Sequence, residues 1–60
     1  MNHNKAFAVT RLRNIALSFE RGEMDGEFTA AIEAGLDIEK LREAMIERCR
    51  WLADEIEGRA

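Results

Sequence analysis

The sequence contains no proline and no tyrosine, and it has one cysteine and one histidine among its 60 residues. Without proline nothing forces a break within a helix, so the four glycines are the natural helix ends. The single cysteine, Cys49, excludes a disulfide within the chain, and together with His3 it is too little for a zinc site. A chain this short is marginally stable without a disulfide or a bound metal, which leaves association with another subunit as the remaining source of stability.

Long apolar runs are missing as well, because charged residues interrupt every stretch after a few positions. The sequence therefore predicts no transmembrane helix. Its first residues have neither the apolar core nor the cleavage site of a signal peptide. With one free cysteine and no export signal, we expect a cytoplasmic protein with no membrane contact.

The net charge of −3 is unevenly distributed along the chain. Residues 1–22 contain four basic residues against one acidic residue, a net charge of +3, and residues 23–60 contain five against eleven, a net charge of −6. One interpretation is that a basic helix and an acidic helix pack side by side. The other is that an acidic surface faces a basic partner. The sequence leaves both open.

Helix-forming residue types dominate the composition, which predicts an all-α fold. We expect one small helical domain over residues 1–60: a helical hairpin with a short intervening helix, assembling as a dimeric helical bundle. The helices should cover about 4–21, 26–34 and 38–57. Gly22 and Gly35 are the expected stops of the first two, and Asp25 and Asp37 the expected N-caps of the second and third.

The most regular pattern is an apolar seam on the last helix, whose members all fall within about 80° at 100° per residue. A stripe that narrow has to be covered, and a 60-residue chain offers little to cover it. We therefore predict that it forms the core and a dimer interface together with an apolar stripe of the first helix. The predicted members are Leu12, Ile15 and Phe19 on the first helix, and Ile38, Leu41, Met45, Cys49, Leu52 and Ile56 on the last.

No pattern typical of catalysis is present. The chain has no Ser/His/Asp or Cys/His set and no glycine-rich phosphate loop, so we expect no enzyme activity, no cofactor and no bound metal. Cys49 lies on the apolar seam, which favours a buried structural side chain over a reactive thiol.

Residues 27–46 resemble the helix-turn-helix motif of DNA-binding regulators. Ala31 lies where the first helix of that motif needs a small residue, Gly35 lies at its turn, and Leu41 at the buried site of its second helix. The resemblance implies a DNA-binding transcriptional regulator. The charge argues against it, because acidic residues outnumber basic ones three to two over 37–43 and phosphate binding requires surplus Lys and Arg. Nucleic acid is therefore not the expected partner.

Trp51 is the best candidate for a contact with another protein. It lies about 120° from the centre of the seam, beside Arg48, and tryptophan and arginine are common in interaction hot spots. The alternative is that Trp51 belongs to the core or to the dimer interface. The candidate contact residues are Glu47, Arg48, Trp51 and Glu55, followed by Phe7 and Leu17, which lie off the stripe of the first helix.

The function predicted from these patterns is that of a small non-catalytic protein-binding module. We expect it to form a homodimer, to dock on another protein and to modulate it by inhibition. Small, acidic proteins without catalytic residues are often accessory proteins of phages and mobile elements, a class-level association. The first alternative is a DNA-binding regulator that uses residues 27–46, and the second is a structural subunit of a larger assembly.

Overall fold

The structure, a computed structural model, describes residues 3–58, and the side chain of His3 lies outside that part. Helix α1 covers His3–Glu20, a 3-10 helix covers Asp25–Phe28, α2 covers Thr29–Glu33 and α3 covers Ile38–Gly58. No strand occurs within residues 3–58, so the all-α prediction is confirmed. The predicted bounds differ from these by one residue at most. The middle helix differs in kind, because its first turn is a 3-10 helix rather than an α-helix.

Both inter-helix breaks are set by glycines in the left-handed conformation. Gly22 has φ 78° and Gly35 has φ 96°. At the first break the N–H of Gly22 donates to the carbonyl of Phe19 at 3.1 Å, and the following N–H reaches back to Ser18 at 3.0 Å. The N–H groups of Gly35 and Leu36 donate in the same way to the carbonyls of Ile32 and Ala31, at 2.9 and 3.0 Å. This pattern of two backbone hydrogen bonds is the Schellman motif. Both helices are therefore ended by interactions between residues that are close together in the sequence.

The start of α3 follows the prediction and the start of the 3-10 helix does not. A carboxylate oxygen of Asp37 accepts from the N–H of Glu39 at 2.9 Å, which makes Asp37 the N-cap of α3. The predicted cap at Asp25 is wrong. Met24 occupies the cap position without a side-chain bond, and the Asp25 carboxylate accepts hydrogen bonds from Arg42 of α3 instead. A guanidinium that offers two donors is a stronger partner than one backbone N–H.

Helices α1 and α3 run antiparallel. Arg13 pairs with Asp54 and Glu57 near the end of α3, and Glu20 pairs with Arg50 farther back. These pairs join the basic helix to the acidic one, as the first interpretation of the charge asymmetry expects. The 3-10 helix lies beside the first half of α3, where Asp25 pairs with Arg42. The chain therefore forms a narrow body of 45 × 17 × 15 Å.

The core is small and combines two phenylalanine rings with small side chains. Its main cluster comprises Ala16, Phe19, Phe28 and Cys49, and the rings of Phe19 and Phe28 have centroids 5.7 Å apart. Ala16 and Ala53, with 1% and 0% exposure, both lie in the stretch between the two ion-pair positions, so the helices approach closely there. The hydrophobic side chains packed around the cluster are only partly buried: Ile15, Met24, Ile38, Leu41 and Ile46.

The buried face of α3 is rotated from the predicted seam. Ala53 is completely buried and Ile46 packs against the core, although neither was in the seam, whereas the seam residue Met45 is 38% exposed. The other seam members divide between buried Cys49 and the partly buried Ile38, Leu41, Leu52 and Ile56; on α1, Phe19 is buried and Leu12 and Ile15 are partly buried. The centre of the seam is covered by α1 of the same chain, as the predicted hairpin requires, and also by the 3-10 helix, whose contact was not predicted.

Three alanine substitutions separate backbone strain from crowding at the glycines. A Cβ on Gly22 would lie 3.2 Å from the Asp25 carboxylate and 3.4 Å from the Arg42 guanidinium, whereas one on Gly35 would meet nothing within 4 Å. Both backbones are left-handed, a conformation that disfavours alanine by roughly 1–2 kcal/mol. We therefore expect Gly35→Ala to lower the free energy of unfolding by about 1 kcal/mol and Gly22→Ala by more, measured by urea denaturation.

Gly26→Ala is the matched control for these two substitutions. Its backbone is not left-handed and the added Cβ meets nothing within 4 Å. Stability should stay the same or rise by a few tenths of a kcal/mol, because the unfolded chain loses freedom. Equal losses for all three substitutions would contradict this account of the turns.

Candidate functional site

Trp51 lies on the side of α3 that faces away from α1. It follows buried Cys49 by two positions, which on a helix is a rotation of about 200°. Its side chain is accordingly 50% exposed. Of the two interpretations of Trp51, the structure places the indole outside the core of the single chain.

The exposed indole is held in place by Arg48. The central guanidinium carbon of Arg48 lies 4.8 Å from the centre of the Trp51 ring system, one helical turn earlier on α3. A cation–π contact of this kind stabilises an exposed pair by about 0.5–1 kcal/mol. The contact restricts the rotation of the indole, so less conformational entropy is lost when Trp51 is buried against a partner.

The indole and the guanidinium border an open groove whose charge is negative. Four acidic and two basic side chains line it. Each basic group already has a partner, since Arg48 lies against Trp51 and Arg50 pairs with Glu20 at 3.5 Å. The outer face of α3 therefore combines a flat aromatic surface with an acidic border. The lining residues are Glu20, Glu43, Ala44, Ile46, Glu47, Arg48, Arg50, Trp51 and Asp54.

The structure brings some of the predicted contact residues together and separates others. Glu47, Arg48 and Trp51 line the same groove, whereas Glu55 is partly buried and does not line it. Phe7, 67% exposed, lies in a separate depression on α1 with Arg11. Leu17, 40% exposed, lines neither depression.

Six of the nine residues that line the groove were not among the predicted contacts, and two of them, Glu20 and Ile46, depend on how the helices pack. Glu20 comes from α1 and reaches the groove only because the helices run antiparallel with this register. Ile46 lies at the border between the groove and the core, and it was not assigned to either. No local pattern reveals such positions, because their roles depend on which helix packs opposite.

The ion pairs of the hairpin lie beside the groove and hold the acidic helix in place. Arg13 donates to Asp54 at 3.3 Å and also to Glu57, and both carboxylates raise the pKa of its guanidinium, Glu57 more strongly.

The hydrogen bond from Arg42 holds the pKa of Asp25 below its usual range, although partial burial opposes this. The charged form of Asp25 is thus favoured by folding. Its contribution to stability is complete above its unfolded pKa and is lost as the pH falls through the lowered folded pKa.

The helix-turn-helix resemblance is not supported by free basic groups at the start of α3. Over residues 37–43 the basic residues are Lys40 and Arg42, and Arg42 is bound to Asp25. The would-be first helix is short, since α2 has five residues and follows a 3-10 turn. This end of α3 therefore has little positive charge to offer to phosphates.

Residues 3–58 contain neither a metal-binding cluster nor a membrane-spanning helix. In this range no three His, Cys, Asp or Glu side chains come close enough together to hold a metal ion. No helix of the same range is long and apolar enough to cross a membrane. Cys49 is a free thiol that is 6% exposed.

Comparison with known proteins adds no assignment to these observations: no protein-family model matches the chain, and no curated protein and no solved structure is significantly similar to it.

Proposed function

We propose that this protein is a non-catalytic binding module that docks on another protein through the outer face of α3 and modulates it by covering a surface. The observation that carries the proposal is the half-exposed Trp51, held by Arg48 and bordered by acidic side chains. An exposed tryptophan with a charged border is typical of protein interfaces, where a few aromatic and arginine side chains dominate the binding energy.

The charges around Trp51 indicate the chemistry of the partner. Of the acidic residues that line the groove, Asp54 pairs with Arg13 and Glu20 with Arg50, and Glu43 and Glu47 supply the remaining negative charge. A complementary partner surface carries Lys or Arg around an apolar recess that accepts the indole. Such a surface occurs on proteins that bind nucleic acids or acidic ligands, so occupying it would inhibit them. This agrees with the accessory or inhibitory role that the composition suggests.

Substitution of Trp51 tests the proposal. The tagged protein is used to capture partners from a lysate of the organism that carries the gene, and the captured protein is purified for titration calorimetry. We expect Trp51→Ala to weaken its binding by more than ~1 kcal/mol, since the indole is the largest apolar side chain that lines the groove. Circular dichroism should show unchanged helicity, because the side chain lies outside the core.

Ile32→Ala is the matched control, because Ile32 is 44% exposed and does not line the groove. Its binding should equal that of the wild type. A sharp loss of thermal stability in Trp51→Ala would instead assign Trp51 a structural role. Unchanged binding in Trp51→Ala with loss in Phe7→Ala or Leu17→Ala would move the contact to α1.

Two further outcomes would favour the alternative functions. Salt-sensitive binding to random duplex DNA in a gel-shift series would favour a regulator that uses residues 27–46. Copurification in a fixed stoichiometry within a larger assembly, unaffected by Trp51→Ala, would favour a structural subunit.

A further inference from the structure

The two sides of the α1–α3 hairpin differ in what covers the gap between the helices. On one side charged side chains cross it, from Arg13 to Asp54 and Glu57, and from Glu20 to Arg50. Their positions fix the orientation of both helices, because ion-paired residues must lie on the same side of an antiparallel pair.

The opposite side is apolar. On α1, Leu12 and Ile15 lie about 40° and 100° from buried Ala16, in the direction away from the ion-paired Arg13. On α3, Met45 and Leu52 lie about 40° and 60° from buried Cys49, again away from the ion pairs. We call this surface the apolar flank, and it comprises Leu12, Ile15, Met45, Leu52 and Ile56.

Every member of the apolar flank remains partly in water. Met45 is 38% exposed, and the other four are of intermediate burial. Within the described residues the large buried side chains are Phe19 and Phe28, at 5% and 8% exposure, and the most completely buried positions, Ala16 and Ala53, contribute little apolar area. A 60-residue chain whose leucine, isoleucine and methionine side chains are covered only in part has a small core.

We propose that the apolar flank binds a second copy of this chain, with α1 of each protomer lying against α3 of the other. The charges of the helices favour this arrangement. Helix α1 contains three basic residues and one acidic residue, whereas α3 contains four basic and six acidic ones. Pairing α1 with the α3 helix of the other protomer joins opposite net charges, as the two helices already do within one chain.

In a dimer with a two-fold axis, the two α1–α3 contacts between the protomers are equivalent and form together. The α1 helix of one protomer covers the α3 side of the other flank, and the reverse contact follows by symmetry. Stacking α3 on α3 would bring two acidic helices together, and stacking α1 on α1 two basic ones. The result is a four-helix bundle in which basic and acidic helices alternate.

This inference does not depend on the proposed function. Trp51 lies about 100° from Leu52 around α3, so the groove remains at the surface of the dimer. Loss of self-association and loss of target binding are therefore separable by substitution.

Sedimentation equilibrium of the wild-type protein at micromolar concentrations is the first test. We expect a particle of twice the chain mass of 6.9 kDa. A particle of one chain mass at ~100 µM protein would overturn the proposal, because a flank that forms an interface should be occupied at that concentration.

The second test compares one lysine substitution on each side of the hairpin. Met45 on the apolar flank is 38% exposed and Leu17 on the ion-paired side of α1 is 40% exposed. Met45→Lys places a charge in the interface next to a basic helix, so its dimer dissociation constant should rise at least ten-fold, with unchanged helicity. Leu17→Lys should change the constant less than about two-fold. Equal effects of the two would overturn the assignment of the flank.

The third test checks which helices meet. Arg11 is exposed and lies about 40° from Ile15 around α1, at the outer edge of the apolar flank, whereas Arg21 lies beyond the end of that helix. If α1 faces an acidic helix, Arg11→Gln removes an attraction and should weaken the dimer about two- to five-fold relative to Arg21→Gln. Both substitutions change the net charge equally. A tighter dimer in Arg11→Gln would mean that α1 faces α1, and would overturn the proposed arrangement.

Discussion

Ala53→Glu is expected to leave the protein largely unfolded under conditions in which the wild type is folded. Ala53 has no exposed surface and lies where α1 and α3 approach closely. A glutamate there must either bury its carboxylate without a partner or push the helices apart, at a cost of roughly 3 kcal/mol or more. The stability of a 60-residue domain is about 3–9 kcal/mol, so this single change removes a large part of it. Helix content at 222 nm and thermal melting measure the effect.

Ala44→Glu is the control for this substitution. Ala44 lies on the same helix and lines the open groove, so its new side chain points into solvent. Both substitutions replace an alanine of α3 by glutamate, so they add the same charge to the same helix. Its effect on stability should stay within about 0.5 kcal/mol. Similar losses in the two variants would mean that added acidic charge, not close packing, limits the stability of α3.

Phe28→Ala is expected to release the short helices from the hairpin and to destabilise the whole chain. Phe28 is 8% exposed and is the buried residue of the segment formed by the 3-10 helix and α2. Its ring packs against Phe19 with centroids 5.7 Å apart. Truncating a buried phenylalanine typically costs about 3–5 kcal/mol, through lost apolar burial and the cavity left behind. Urea denaturation followed by circular dichroism measures the loss.

The comparison for Phe28→Ala is Phe7→Ala, which deletes the same ring from a position that is 67% exposed on α1. Its effect on unfolding should stay within about 0.5 kcal/mol. Amide hydrogen exchange adds a local measurement, because residues 25–33 should lose protection in Phe28→Ala before α1 and α3 do. Retained protection over 25–33 would show that contacts other than Phe28, such as the Asp25–Arg42 pair, anchor the segment.

Helix ends were predictable because they are decided within a few residues. Gly22 and Gly35 adopt the left-handed conformation that lets the preceding carbonyls be satisfied, and Asp37 caps α3 with its own carboxylate. These interactions join near neighbours in the chain. Asp25 has the same local signal as Asp37, but it fails as a cap because Arg42, 17 positions later, competes for its carboxylate.

The exact buried face of α3 was not predictable from the spacing of apolar residues. The periodic pattern favours Met45 and Leu52, since they are large and hydrophobic, and it gives no weight to Ala53. Close approach of two helices selects a small side chain, so the contact centres on Ala53, and Met45 moves toward the surface. Hydrophobicity identifies a face to within about one residue, whereas packing decides its centre.

The sequence by itself determined the helical class, the three helical segments and the chain positions where they end, because propensity, capping and glycine conformation act locally. It left open whether the basic helix and the acidic helix would pair or whether the acidic surface would face a partner. Only the tertiary structure decided the register of α1 on α3, and with it the gathering of Glu20 and Arg50 beside Trp51 and the separation of an ion-paired side from an apolar flank. These features join residues that are far apart in the chain, so they exist only after the helices have packed.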